Sequence, residues 1–293
     1  MRTTGRPTPC ADREAAPRLA LGAVPARASS LERERFYVLG TPVDAVDPER
    51  ALSRIGEWVA ARHARYVCVT NVHAVMEAHH DEALRRIHEA AGLTVPDGMP
   101  LVWVGRLKGH RTVRRVYGPD LTLQLCEQAA RLGYRCFFYG GAPGVAEQLA
   151  EAFARRFPGL PVAGAEAPPF RPLTAEEDDE VVRRINAAAP DVVFVGLGCP
   201  KQERWMATHR ERLRAAVLVG VGAAFDFHTG RVRQAPRWMM RAGLEWVFRL
   251  SQEPRRLWRR YLVYNTLFAF HVTLELLGLR RYPTPGDEGP GAA

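Results

Sequence analysis

Apolar runs that predict buried strands alternate with amphipathic stretches that predict helices over most of the chain. The apolar runs lie at residues 37–39, 66–70, 93–95, 135–139, 191–196 and 216–221. The helical patterns lie between them, at residues 48–61, 73–91, 120–132, 145–157, 175–188 and 202–214. A chain with this alternation forms a mostly parallel sheet with helices on both faces. The sequence therefore predicts an α/β fold.

The composition divides the chain into four segments. Residues 1–34 are rich in Pro, Ala and Arg and lack the apolar core of a secretory signal, which predicts a disordered leader. Residues 35–228 carry the alternating pattern and form the predicted Rossmann-like α/β catalytic domain. Residues 229–282 are rich in Arg and Trp and no longer alternate with strands, which predicts a C-terminal helical appendage. Residues 283–293 predict a disordered tail.

Positive charge is concentrated in the predicted appendage. The chain has a net charge of +9, and before its last few residues only Glu245, Glu253 and Glu275 oppose the arginines that follow residue 229. An anionic partner is therefore expected: a phosphate, a lipid headgroup or a nucleic acid. The apolar stretch 262–279 is interrupted by polar residues and is too polar to predict a membrane span, although it suits the surface of a membrane.

The cysteines and histidines give no sign of a metal site. The five cysteines lie far apart without a C-x-x-C pair, which argues against a disulfide framework or a zinc cluster and fits a reducing cytoplasm. The histidines lack metal-ligand spacing, and no D-x-D motif lies in a credible loop. The sequence therefore predicts neither a metal site nor a cofactor.

Polar residues follow several predicted strands at one edge of the sheet. Ligands of parallel sheets bind beyond the carboxyl ends of the strands, where separate loops meet. We therefore expect one site that contains Thr70, Asn71, Asp97, Gly140, Gly141, Lys201, Gln202, Glu203 and Asp226.

Asp97 lies in a tight Pro-Asp-Gly turn after a strand. An aspartate in such a turn often bonds to its own backbone, which would give it a structural role. Its place at a strand end, beside a glycine that leaves room for a ligand, favours chemistry instead. A carboxylate there can accept the proton that a sugar hydroxyl loses as it attacks an anomeric carbon.

The turn Y-G-G-A-P-G at residues 139–144 supports two interpretations. Glycines between a strand and a helix offer backbone N–H groups to a phosphate, as in an NAD(P)-dependent oxidoreductase, with Glu166 as a candidate ribose-binding acid. The match to G-x-G-x-x-G is imperfect, however, and a tight strand-to-helix turn fits equally well. A basic nucleic-acid-binding protein is a further alternative, but it leaves the polar strand-end residues unexplained.

Several motifs, in order along the chain, closely resemble those of the WecG/TagA/CpsF glycosyltransferase family. They are P-D-G-M-P (96–100), R-V-Y-G-P-D-L (115–121), F-Y-G-G-A-P-G-V-A-E (138–147), V-G-L-G-C-P-K-Q-E (195–203) and the whole stretch 220–262. The resemblance implies an inverting, metal-independent enzyme that moves N-acetylmannosamine or a related hexose from a UDP donor to an undecaprenyl-diphosphate-linked sugar. Teichoic acid, enterobacterial common antigen, capsule and exopolysaccharide are the products of such enzymes.

The resemblance also implies roles for single residues. Asp97 matches the proposed catalytic base, Gln202 a polar residue near the donor sugar, and Asp226 an acid that contacts the nucleoside. Arg115 lies in a matching motif. The arginines expected to close over the diphosphate are Arg231, Arg233, Arg237 and Arg241.

One motif departs from the family pattern. Members often carry T-x-N after the second strand, whereas Thr70 and Asn71 are adjacent here. Asn71 keeps the usual spacing to Asp97, so the resemblance implies a binding role more strongly for Asn71 than for Thr70.

The implied partners are a UDP-sugar, a polyprenyl-diphosphate-linked acceptor and an anionic membrane surface, without a nucleic acid. Tryptophans and arginines on helices suit an anionic interface, which predicts a peripheral enzyme at the cytoplasmic face of the plasma membrane. Alternatively, the tryptophans of the appendage pack against the α/β domain. The sequence leaves a homo-oligomer open.

Overall fold

A computed structural model of the protein describes residues 33–284, so that residues 1–32 of the predicted leader and 285–293 of the predicted tail lie outside the described residues. The strands are β1 (Arg35–Val38), β2 (Thr41–Asp44), β3 (Arg65–Thr70), β4 (Leu93–Pro96), β5 (Cys136–Gly140), β6 (Val162–Glu166), β7 (Val192–Gly196) and β8 (Val217–Gly220). The first helices are α1 (Pro48–Ala61), α2 (Val72–His80), α3 (Glu82–Ala90), α4 (Met99–Leu107), α5 (Gly118–Leu132), α6 (Val145–Arg156), α7 (Ala175–Ala187) and α8 (Lys201–His209). The later ones are α9 (Ala224–His228), α10 (Arg237–Arg241), α11 (Glu245–Gln252), α12 (Pro254–Trp258) and α13 (Tyr264–Leu276), with a π-helical turn at Arg259–Val263.

Six strands form one parallel sheet in the order β4-β3-β8-β7-β5-β6. Its side chains alternate between two cores, as the pleat requires. Val67 and Val69 of β3 pack with α1, α5 and α6, whereas Tyr66 and Cys68 of the same strand belong to the cluster with α3, α7 and α8. The parallel sheet flanked by helices, with a C-terminal helical region, confirms the predicted α/β fold.

The C-terminal helical region is anchored on the body by its last helix. A third core joins the antiparallel β1–β2 hairpin, α2 and α4 to Phe268 and Val272 of α13. Glu275 adds polar anchors, because it accepts hydrogen bonds from the Leu39 N–H at 3.2 Å and from Lys108 Nζ at 2.8 Å. No helix within residues 33–284 is long and apolar enough to cross a bilayer.

Two helices replace the single helix predicted over residues 73–91. Helix α2 ends at His80, and Asp81 is extended, with φ −134° and ψ 100°. The Asp81 carboxylate then accepts a hydrogen bond from the Leu84 N–H at 3.1 Å and so begins α3. The apolar periodicity continues through this break, which is why the pattern predicts one helix. The helix predicted over 202–214 is also wrong at its end, since α8 stops at His209.

Candidate active site

A cavity of about 1550 Å³ opens beyond the carboxyl ends of the parallel strands. Loops that follow β3, β4, β5, β7 and β8 line one wall, and residues from α11, α12 and the π-helical turn line the other. The cavity brings together Asn71, Asp97, Gly141, Lys201, Gln202, Asp226 and Arg231. Separate strand ends therefore meet at one site.

Asp97 is held at the cavity wall by backbone groups. Its own N–H donates to the Thr70 carbonyl oxygen at 2.8 Å, and its carboxylate accepts a hydrogen bond from the Gly118 N–H, at the start of α5, at 3.2 Å. The Asn71 side chain also bonds to it. Asn71 is itself fixed, because its Oδ1 accepts from the Ala74 N–H at 3.2 Å and caps α2. Asp97 lines the cavity, and its side chain is 17% exposed, so it is not packed solidly in the core.

The surroundings of Asp97 make it a stronger base than an ordinary aspartate. Burial raises the pKa of Asp97 to about 6, Arg115 opposes the rise, and the carboxylate of Glu245 adds to it. Hydrogen bonds from Gly118 and Asn71 act in the same direction as Arg115. A carboxyl group with this pKa is mostly ionised at neutral pH and still takes up a proton readily, as a general base requires.

Arg115 lies behind Asp97 and is occupied by protein groups. Its guanidinium donates to Glu245 Oε2 at 2.5 Å and to the Asp97 carbonyl oxygen, and it lies 4.2 Å from the centre of the Tyr117 ring. Tyr117 in turn donates its hydroxyl to Glu245 Oε1 at 3.1 Å. Arg115 is not among the residues that line the cavity, so the structure gives the predicted binding residue a supporting position.

The three consecutive residues Lys201, Gln202 and Glu203 do not face the cavity together. They begin α8, where successive side chains point in directions about 100° apart. Lys201 is exposed and lines the cavity, and Gln202 lines it with 3% of its surface accessible. Glu203 is fully buried behind them. Its predicted contact with substrate is therefore corrected to a contact with Gln202.

Gln202 is fixed by the end of β8. Its Oε1 accepts a hydrogen bond from the Gly222 N–H at 3.0 Å, and its Nε2 donates to Glu203 Oε1 at 2.9 Å. A side chain at Gly220 would come within 3.2 Å of the same Nε2, so glycine makes room for the amide. These contacts hold the amide at the cavity wall in one orientation.

The glycine turn after β5 is shaped by close packing. A Cβ at Gly140 would lie 2.6 Å from the Gly196 backbone, and Gly140 itself does not line the cavity. Gly141 does line it, but its N–H donates to the Gly196 carbonyl oxygen at 3.0 Å and is not free for a phosphate. Glu166 is paired with Arg184 at 2.6 Å. The geometry therefore supports the tight-turn interpretation over the dinucleotide one.

The opposite wall carries four arginines, two of which have a buried Nε without an acceptor among the described residues. Arg249, Arg256, Arg259 and Arg260 line the cavity. The Nε atoms of Arg249 and Arg260 are buried without a hydrogen-bond acceptor among the described residues. Burial lowers the pKa of Arg260, and the charges of Arg249 and Arg256 lower it further. An anion in the cavity would supply the missing acceptors and relieve this repulsion.

This set of arginines differs from the predicted one. Of Arg231, Arg233, Arg237 and Arg241, only Arg231 lines the cavity, where its Nε lies 3.9 Å from the Asp226 carboxylate. The other three are exposed outside it, because α10 and the loop before it lie on the outer surface. Thr70 is likewise buried rather than at the cavity, and its hydroxyl donates to the Cys68 carbonyl oxygen at 3.4 Å.

Sequence reasoning missed two further cavity residues, His73 and Tyr264. Their rings stack with centres 5.5 Å apart. Burial, reinforced by the charge of Arg260, lowers the pKa of His73 to about 3, so its imidazole is neutral at physiological pH. No group of three or more His, Cys, Asp or Glu side chains within residues 33–284 is arranged to hold a metal ion.

The sequence patterns also failed to predict Glu245 and Tyr117 as site residues, although the sequence marks each of them. Tyr117 lies in the R-V-Y-G-P-D-L motif, and Glu245 is one of the few acids among the arginines of the C-terminal segment. The contact between Glu245 and Arg115 spans 130 residues, which no local pattern reveals.

A carboxyl group of raised pKa and a cluster of guanidinium groups that line one strand-end cavity are typical of an enzyme that transfers a group from an anionic donor. Residues 36–282 match the sequence profile of the glycosyl transferase WecG/TagA/CpsF family, and the chain belongs to that family. It is therefore a glycosyltransferase, and the resemblance noted from its motifs is confirmed.

Two curated bacterial proteins are similar to it, and both are named N-acetylglucosaminyldiphosphoundecaprenol N-acetyl-beta-D-mannosaminyltransferase. The one from Bacillus spizizenii is 35% identical over 197 residues, which cover 67% of this chain and 74% of the relative. The one from Bacillus subtilis is 33% identical over 173 residues, which cover 59% of this chain and 65% of the relative.

Proposed function

We propose that the enzyme transfers N-acetylmannosamine, or a related hexose, from a UDP donor to a sugar linked to undecaprenyl diphosphate, with inversion and without a metal. The observation that carries this proposal is that the Asp97 carboxylate lines the same cavity as Arg249 and Arg260, whose buried Nε atoms have no acceptor within residues 33–284. The names of the two relatives support the acceptor class and the sugar.

The proposed reaction is a direct displacement. A hydroxyl oxygen of the acceptor sugar forms a bond to the anomeric carbon of the donor while the bond from that carbon to the diphosphate breaks. Asp97 takes the hydroxyl proton, and the electron pair of the broken bond leaves with UDP. Gln202, held rigidly at the cavity wall, is proposed to orient the donor sugar, with Asn71 beside the base.

The leaving diphosphate is proposed to bind at the arginine wall. Arg249 and Arg260 carry the unpaired donors, and Arg231, Arg256 and Arg259 add positive charge around the same cavity. Preformed donors of this kind stabilise charge that develops on a leaving group without further rearrangement. Asp226 and Lys201, also at the cavity, are proposed to contact the nucleotide.

We also propose that the C-terminal helices lie on the cytoplasmic face of the plasma membrane. Large apolar side chains are exposed there, including Trp238 (64%), Phe270 (57%), Leu277 (66%) and Leu279 (71%). Exposed arginines, among them Arg237 and Arg241, accompany them. Each arginine near an anionic surface contributes about 1 kcal/mol, so vesicles with anionic lipid should bind the protein and neutral vesicles should bind it far less.

The test of the proposed function is a donor screen with a synthetic polyprenyl-diphosphate N-acetylglucosamine acceptor. The wild-type protein and the Asp97→Asn variant are incubated with a panel of UDP-sugars, with and without a chelator, and products are separated by chromatography. We expect the wild type to transfer one sugar in both conditions and the variant to lose nearly all turnover. Full activity of the variant would remove the base assignment, and loss of wild-type activity with the chelator would remove metal independence.

A further inference from the structure

A carboxylate from the C-terminal helices reaches the charge network behind Asp97. Glu245 begins α11, and its side chain is 17% exposed. It accepts hydrogen bonds from Arg115 at 2.5 Å and from the Tyr117 hydroxyl at 3.1 Å. Arg115 and Tyr117 belong to the segment between α4 and α5, so the contact joins the two walls of the cavity.

The same guanidinium also faces Asp97. Arg115 Nη2 lies 3.7 Å from Asp97 Oδ1, and Arg115 Nε donates to the Asp97 carbonyl oxygen. Arg115 is therefore shared between two carboxylates, one from each wall. A cation that lies nearer to one anion offsets the charge of the other less completely.

We propose that Glu245 is a positioning residue that couples the docking of the C-terminal helices to the proton-accepting strength of Asp97, by holding the Arg115 guanidinium away from the Asp97 carboxylate. The inference rests on the proposed role of Asp97 as the base. With the helices docked, Glu245 takes most of the Arg115 charge and the site is covered. With them lifted, Arg115 would turn to Asp97 and water would reach it, and both changes weaken the base. Closure over the donor and activation of the base are then one event.

The electrostatics of the network agree with this arrangement. The charged and titratable groups that face the Asp97 carboxylate are Arg115, Glu245 and Tyr117. Burial raises the pKa of Tyr117, and the two carboxylates raise it further, so Tyr117 remains a hydrogen-bond donor to Glu245. The Glu245 charge raises the pKa of Asp97, whereas Arg115 lowers it.

The first experiment measures kcat/KM against pH for the full chain with Glu245→Gln. Glutamine keeps an oxygen for Arg115 and Tyr117 but lacks the charge. We expect the acid limb of the profile to move to lower pH by about one unit, and kcat on the plateau to fall about threefold with an unchanged donor KM. Glu245→Asp, which keeps the charge, should retain the wild-type limb.

Glu275→Gln is the matched control. Glu275 also anchors the C-terminal helices, but it contacts Lys108 and Leu39 rather than the Asp97 network. If Glu245 only anchors the helices, the two glutamine variants should shift the profile alike, and the coupling would be refuted. We expect a shift in Glu245→Gln alone, because Glu275→Gln loosens α13 and leaves the contact of Glu245, in α11, with Arg115 in place.

A second readout separates this inference from the proposed function. In full-length protein with ¹³C-labelled aspartate carboxyls, the Asp97 signal is identified by its absence in Asp97→Asn, and its titration is followed without substrate. A lower midpoint in Glu245→Gln together with an unmoved rate profile would show that the coupling exists but that Asp97 is not the base. An Asp97 midpoint equal to that of the wild type would overturn the coupling itself.

Discussion

The two walls of the cavity differ in how their central polar side chains are held. On the strand-end wall, Asp97 is held by Thr70 and Gly118, and both polar atoms of the Gln202 side chain have protein partners. On the opposite wall, the buried Nε atoms of Arg249 and Arg260 have no acceptor among the described residues. The strand ends fix the proposed base in place, whereas the C-terminal helices carry two arginine Nε atoms whose missing acceptors an anionic ligand would supply.

We expect the largest loss of turnover from the removal of the Asp97 carboxylate on the strand-end wall. Asp97→Asn keeps the size of the side chain and its place in the turn but cannot accept the proton. General-base catalysis contributes about 10²–10⁴-fold, so we expect kcat to fall about 10³-fold. Steady-state turnover checks this, and UDP affinity serves as the control, because it should stay within about twofold if the Asn side chain leaves the arginine wall intact.

Loss of an arginine from the wall formed by the C-terminal helices should weaken the binding of UDP. Arg260→Gln removes a buried guanidinium with an unpaired Nε, and a charged hydrogen bond of this kind contributes about 2 kcal/mol. We therefore expect the affinity for UDP, measured by titration calorimetry, to fall about 30-fold.

Arg233→Gln is the matched control for Arg260→Gln. Arg233 is exposed and does not line the cavity, so its loss should leave UDP affinity within about twofold of the wild type. Equal losses in the two variants would show that the C-terminal charge attracts UDP as a diffuse field rather than at a built site.

Burial of the ionised Asp97 carboxylate should also lower the free energy of unfolding. Folding raises the pKa of its carboxyl from 3.8 to about 6, mainly through burial. The unfolded chain loses this proton first, so the penalty grows as pH rises from about 4 to about 6 and is complete above that window. Asp97→Asn should therefore be more stable than the wild type by about 3 kcal/mol near pH 7.5, with the difference falling below about 1 kcal/mol at pH 4. Chemical denaturation at both pH values measures this, and a variant less stable than the wild type near pH 7.5 would contradict the burial argument.

We expect the smallest effect on stability from the ion pair that anchors α13 on the α/β body. The Lys108–Glu275 ion pair is 2.8 Å long with side chains 23% and 14% exposed. Glu275→Gln should weaken the docking of α13 by about 1 kcal/mol. Hydrogen exchange of the α13 amides should quicken about fivefold while that of α5 stays unchanged; equal acceleration in both helices would mean global destabilisation instead.

The strand-end wall and the C-terminal helices differ in how much of their structure the sequence predicts. The strand-end residues follow from local signals, because a parallel sheet gathers its loops at one edge whatever the rest of the chain does. Asp97 in its Pro-Asp-Gly turn is the clearest case. Thr70, Gly140 and Glu203 are exceptions, since none of them lines the cavity. Successive side chains of a helix point about 100° apart, so Lys201 and Gln202 reach the cavity while Glu203 is buried behind them.

The C-terminal arginines are predictable as a group but not one by one. Short helices, the glycine at residue 243 and the π-helical turn reset the direction of the side chains several times. Arg260 and Arg249 therefore face the cavity while Arg237 and Arg241 do not, and no single helical period distinguishes the two pairs. The ion pair of Glu245 with Arg115 depends on the docking of two distant segments, which local sequence does not encode.

The central claim is that Asp97 accepts the proton of the attacking hydroxyl, and the pH dependence of kcat/KM tests it most directly. We expect the wild type to show an acid limb with a midpoint near the pKa of Asp97, about 6, and the residual rate of Asp97→Asn to show no such limb. The same limb in both proteins would mean that another group carries the proton, and the account given for this cavity would be wrong.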